Sequence, residues 1–180
     1  MTVRVAAVLL VLLVAGCASI PLSTMLRLSQ LDQQTLVQLD PAQIRVRVAV
    51  PAGFAIDVQN TKLSLDLGSK SGAHDNSRYD LSKLAETTGA RSGGLFRSDI
   101  PVNVYDLALT ADANRRFREA QRFALANEFS EVNFSVNSRL ASVPEDAKAI
   151  RFWIDLRLRQ SDSYMTLIDG AEIVIERTGG

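Results

Sequence analysis

From Ile150 to Arg159 the chain alternates without a break. Ile150, Phe152, Ile154, Leu156 and Leu158 share one parity, and Arg151, Trp153, Asp155, Arg157 and Arg159 the other. A period of two places the apolar set on one face of an extended strand and excludes a helix there. One strand cannot bury such a face alone, so the rest of the chain has to supply a sheet. It offers several more strands. Ile44, Val46, Val48 and Val50 alternate with Arg45 and Arg47. Phe54, Ile56 and Val58 form a second run, and Leu63, Leu65 and Leu67 a third, with a bend or bulge at Gln59-Asn60 between them. Tyr105, Leu107 and Leu109 share a face, as do Val132, Phe134 and Val136. Met165 to Ile175 reads as one long strand, or as a hairpin if Asp169-Gly170 makes a tight turn. Pro51-Ala52-Gly53 is a turn, so antiparallel hairpin pairing of its flanking runs is the economical expectation.

One stretch has helical spacing instead. Ala113, Phe117, Ala120 and Ala124 form an apolar stripe, with Thr110 as its cap, Asp112 near its positive end and Asn127 as its stop. Arg115, Arg118 and Arg122 mark the opposite face. Pro21 to Leu28 reads as extended, and Asp32 caps a short helix that ends before Asp40-Pro41. Gly68 to Pro101 is the least regular part, with the make-up of a functional lip or a disordered segment, and with a short ordered piece at Tyr79 to Leu84. The expected fold class is α+β: mainly antiparallel β-sheet or sandwich of about seven strands, with one long amphipathic helix.

The chain opens with Arg4 and then an unbroken run of Val, Ala and Leu from Val5 to Ala15. That run is well short of the roughly 20 residues needed to span a bilayer. A basic start, a short apolar core and small residues at its end are the layout of an export signal. The stretch Val14-Ala15-Gly16-Cys17 resembles the bacterial lipobox, and Cys17 is the sole cysteine. The resemblance implies a diacylglyceryl thioether on Cys17, cleavage before it and acylation of the new amine. With Ala18 rather than Asp after the cysteine, it also implies the outer membrane and its periplasmic face. In general make-up the chain is similar to lipoproteins of the Gram-negative envelope. The expected organisation is a signal peptide at 1–16, an acylated anchor and short tether at 17–19, and a single periplasmic β-rich domain at 20–180. A tether of about four residues reaches at most about 14 Å, which keeps the domain against its membrane.

Composition narrows the function. Losing Arg4 with the leader takes the chain from 20 basic and 20 acidic residues to 19 and 20. A near-neutral chain lacks the electrostatic footprint of a nucleic-acid binder. No G-x-S-x-G elbow, phosphate loop or dinucleotide fingerprint is present. The single histidine, His74, lies beside Asp75 with Asp80 near; a His–Asp dyad is one reading and a solvated loop histidine the other. No cofactor or metal set is legible, and the expectation leans away from an enzyme. Two cationic features stand out. An exposed Trp153 among Arg151, Arg157 and Arg159 would form a partner or ligand face. Arg115, Arg118 and Arg122 would touch anionic lipid at a membrane surface. The leading expectation is a non-catalytic interaction or assembly component of the envelope, with a protein partner. The alternatives are a lipid or small-amphiphile carrier and, behind it, an envelope hydrolase around His74.

Overall fold

A computed structural model describes residues 21–93 and 98–175. The leader and Cys17 lie outside that range, as does part of the loop between Arg91 and Ile100. Three helices accompany the sheet among the described residues, where the sequence pointed to one long helix and a short one after Asp32. They are α1 (Leu22–Ser29), α2 (Gln33–Val37) and α3 (Ala111–Ala126), with a single 3-10 turn at Pro41–Gln43. The seven strands are β1 (Arg45–Pro51), β2 (Ala55–Ser69), β3 (His74–Arg91), β4 (Ile100–Leu109), β5 (Phe129–Ser142), β6 (Ala149–Arg157) and β7 (Met165–Val174). None of the described helices is long and apolar enough to cross a membrane.

The strand order is β5-β2-β3-β4-β1-β6-β7, and every pairing is antiparallel. The mainly antiparallel class therefore holds. The expected β1–β2 hairpin does not form: β1 pairs with β4 and β6, and β2 with β3 and β5. The cause is burial on both sides of β1. Val46, Val48 and Val50 are buried on one face and Ala49 on the other, so β1 belongs at the middle of the sheet and not at a hairpin edge.

The sheet folds about β3. Residues 74–80 of that strand pair with β2, and residues 81–91 with β4. This bend curls the seven strands into an incomplete barrel around one core. The stretch from Gly68 to Pro101 is accordingly mostly strand. Its outer half, from Ser82 on, is exposed on both faces and is held by backbone pairing from Ser82↔Ala108 to Arg91↔Ile100. Exposed polar residues carry no period-two signal, so alternation could not reveal it.

The bulge expected at Gln59-Asn60 is present, as the register jumps between Asp57 and Lys62 against β5. The Asn60 backbone N–H and Nδ2 donate to the Asp57 carboxylate at 3.2 and 2.6 Å. Those hydrogen bonds hold the Asp57 pKa below its usual value. Asp169-Gly170 makes a bulge within one long β7, not a hairpin turn. Gly170 has φ +68°, and a Cβ there would meet Trp153 Nε1 at 3.2 Å, so both backbone and space require glycine.

Helix α3 starts and stops where its caps dictate. The Thr110 hydroxyl accepts from Ala113 N–H, and Asn127 Nδ2 donates to Phe123 O. Its buried face is Ala113, Phe117, Ala120, Gln121 and Ala124. Asp32 caps α2 by accepting from Thr35 N–H, as its position foretold. Pro21 to Leu28, expected to be extended, is instead mostly helix α1. Gln121 joins the helices: its Nε2 donates to Leu36 O, Val37 O and Leu39 O at 2.9, 3.2 and 2.8 Å. Leu36 O also accepts from the Leu39 backbone N–H at 3.2 Å, so the amide adds to one carbonyl already paired and reaches two more at and just past the C-terminus of α2.

Tyr79 packs against Phe117 with ring centroids 5.2 Å apart. It is fully buried, and its hydroxyl has no hydrogen-bond partner among the described residues. Burial, only partly offset by the nearby Ser77, pushes its pKa from 10.0 to about 12. Tyr79→Phe should leave stability at neutral pH unchanged or raise it by about 1 kcal/mol, since an unpaired buried hydroxyl is removed. The folded pKa is raised, so the stability present below pH 10 falls as pH rises towards 12, by about 2–3 kcal/mol at the far end. Urea unfolding at pH 8 and pH 11.5 should therefore show a larger alkaline loss for the parent chain than for Tyr79→Phe. Equal losses would mean that the hydroxyl ionises freely in the folded protein.

Candidate functional site: an apolar groove along an open seam

Six successive antiparallel pairings separate β5 from β7, so the two edge strands run in the same direction. They face each other across a seam. Helix α1 occupies the end of the seam where both strands begin: Thr24 Oγ1 donates to Thr166 O at 2.6 Å, and Met25 and Leu28 lie beside Phe129 and Val132. Further along, no helix among the described residues covers the seam, and a groove opens between the edges, with a volume of about 350 Å³. Val136 and Leu140 of β5 form one wall, and Ile150, Phe152 and Ile154 of β6 the other. Val48 and Val50 of β1 and Ile56 of β2 complete the lining. Ile173 stands on the β7 rim, 54% exposed, and the β5 rim carries Asn137, Ser138 and Arg139. A groove of this size and lining lies within the range of small-ligand sites.

The bulge at Asp57–Lys62 shapes the β5 rim. Thr61 Oγ1 lies 2.7 Å from Ser138 Oγ, and Asn137 Nδ2 donates to Ser64 Oγ at 3.4 Å. Arg139 has Asp57 as its cross-strand neighbour and makes no ion pair among the described residues.

The residues singled out in the sequence lie elsewhere. Trp153 is not a solvent-facing platform; it is 3% exposed, packed with Ala49 and Val102 on the outer face of the sheet. The far end of the β3–β4 hairpin folds over that face. Arg91 pairs with Asp155 at 2.5 Å, and Arg151 Nη1 donates to Gly93 O at 3.4 Å. Asp155 is itself buried and accepts from Thr166 Oγ1 at 2.8 Å. Arg157 stacks on Tyr164, which also carries Arg47 on its ring, and Arg47 pairs with Asp106 at 2.8 Å. Arg159 lies past the end of β6, in a depression with Leu31 and Thr35. Arg151, Trp153 and Arg157 therefore share a strand, with Arg159 just past its end, but the four share no open surface.

Arg115, Arg118 and Arg122 are exposed on α3, Arg115 paired with Asp112 and Arg122 with Glu119. His74 opens β3 rather than sitting in a loop. Its Nε2 is 3.0 Å from Asp66, whereas Asp75 accepts from Ser77 and Asp80 pairs with Lys62. The dyad with Asp75 or Asp80 is not formed. No group of three His, Cys, Asp or Glu side chains suited to a metal ion occurs among the described residues.

Sequence reasoning missed the groove because each of its residues reads as ordinary core. A wide gap between two edge strands has no local signature. No protein-family model, curated protein or solved structure matches this chain.

Proposed function

We propose that this chain is a lipid-anchored envelope lipoprotein whose domain carries a lipid or small amphiphile in the seam groove, with no catalytic step. The observation behind it is the groove itself: about 350 Å³, lined by aliphatic side chains and Phe152, and open along one side. A long apolar guest would be removed from water there along most of its length, which is favourable at about 25 cal/mol per Å² of apolar surface. Helix α1 supports seating beside a membrane. It follows Cys17 within a few residues, and Leu22, Met25 and Leu26 are exposed at i, i+3 and i+4, the spacing of a shallow interfacial face.

Organic extraction of the purified full chain, followed by mass spectrometry, tests the carrier reading. The parent chain should release a defined amphiphile in near-stoichiometric amount. Leu140→Trp, which fills the groove from the β5 wall, should retain about a tenth as much, with a stability change within about 1–3 kcal/mol. An identical lipid profile from the two proteins would overturn the reading. Mass analysis of the N-terminal peptide separately tests acylation of Cys17.

A second reading, an assembly component, draws on the β7 edge. Ile173 and Val174 are exposed there, beside an edge with no strand partner among the described residues. A partner strand added to that edge would extend the sheet across the seam. A stoichiometric protein in the same preparation, in place of an amphiphile, would favour it.

A further inference from the structure

Resting on the carrier reading, we infer that the groove selects anionic single-chain amphiphiles, with the chain between β5 and β6 and the headgroup held by Arg139, Arg78 and Lys62. Asn137, Ser138 and Arg139 line two depressions at once. One is the apolar groove. The other, of about 360 Å³, is polar and is completed by Asn60, Lys62 and Arg78. The β5 rim is thus the divide between an apolar trough and a cationic basin. An amphiphile lying across it would place each end in matching surroundings.

The charge in the basin is only partly offset, since Asp57 lies across from Arg139 without an ion pair to it. Lys62 is paired with Asp80. Neither Arg78 nor Arg139 forms an ion pair within 4.0 Å among the described residues. No acidic side chain lines the basin. A guanidinium at the mouth of an apolar site suits a carboxylate or phosphate, which it binds through two parallel N–H donors. A neutral headgroup gains little from it. The Asp57–Lys62 bulge contributes by setting Asn60 and Lys62 at the basin's edge.

Photoactivatable probes of one chain length test this on the full chain reconstituted in vesicles: a diazirine fatty acid, the corresponding diazirine alcohol and a diazirine monoacyl phosphate. Labelled peptides are mapped by mass spectrometry. The acid or the phosphate should label the β5 and β6 peptides about tenfold more than the alcohol. The stronger of the two identifies a carboxylate or a phosphate headgroup. In Arg78→Gln with Arg139→Gln that preference should shrink to about twofold, while alcohol labelling stays unchanged. Equal labelling by acid, phosphate and alcohol in the parent chain would overturn the headgroup assignment and leave the carrier reading standing. A preference that survives in the double variant would also overturn it. No labelling of β5 or β6 by any probe would remove both.

Discussion

Trp153→Ala should lower the unfolding free energy by about 3–5 kcal/mol, the range for removing a large buried aromatic. Trp153 is the centre of a small apolar cluster on the outer face of the sheet, with Ala49 and Val102 buried around it and Ile100 and Val104 at its margin. Gly170 packs directly against the indole, and the end of the β3–β4 hairpin lies over the same face. Truncation would leave a cavity that this hairpin end cannot fill without breaking the Arg91–Asp155 pair. Trp153→Phe, which keeps most of the volume, should cost less than half as much. Chemical denaturation of the three proteins reads the order. A change below about 1 kcal/mol for Trp153→Ala would show that the outer face is open in solution, and would restore Trp153 as a docking surface.

Gln121→Glu should cost about 3–4 kcal/mol at pH 7 although it changes a single atom. The Gln121 amide nitrogen donates to three backbone carbonyls and is 7% exposed. A carboxylate there would set negative charge against three acceptors in a buried site. It would therefore stay protonated, with a pKa raised above 7. Holding a carboxyl protonated about three units above its free value of about 4.3 costs roughly 1.4 kcal/mol per unit. The sign is testable. With the folded pKa raised, the penalty relative to the parent chain is largest at neutral pH and shrinks as pH falls through the unfolded value. Urea unfolding at pH 7 and pH 4.5 should show that narrowing. A pH-independent difference would mean that the carboxylate reaches water. Gln121→Leu lacks the pH term and should cost about 1–3 kcal/mol, from the carbonyls of Val37 and Leu39 that lose their donor.

Strand identity was legible wherever one face is greasy and the other is not. The parity of β6 correctly placed Ile150, Ile154, Leu156 and Leu158 inside. The caps of α3 were legible because Thr110 and Asn127 act within four residues of their own position. Pairing was not legible. Pro51-Ala52-Gly53 reverses the chain, but a turn sets direction and not the partner, and β1 found its neighbours about 60 and 110 residues away. Helix α1 was read as extended because eight residues starting at a proline hold too few periods to decide. Trp153 and Asp155 were read as solvent-facing because the cover on them comes from the far end of β3, distant in sequence. The groove is further still from local reading, since it depends on where β5 and β7 stop approaching one another.

The central place of β1 also sets the order in which this protein can come into being. Arg45 pairs with Ala108 on one side and Arg157 on the other, so the first strand made needs the next-to-last. At 5–20 residues per second, β1 waits on the order of ten seconds for β6 to emerge from the ribosome. Throughout that interval the chain is held open by its own topology and cannot close into the barrel-like sheet. Such long-range pairing makes folding slow, and slowness has a use. On the export proposed for this chain, it would stay threadable through a narrow passage until nearly all of it has been made.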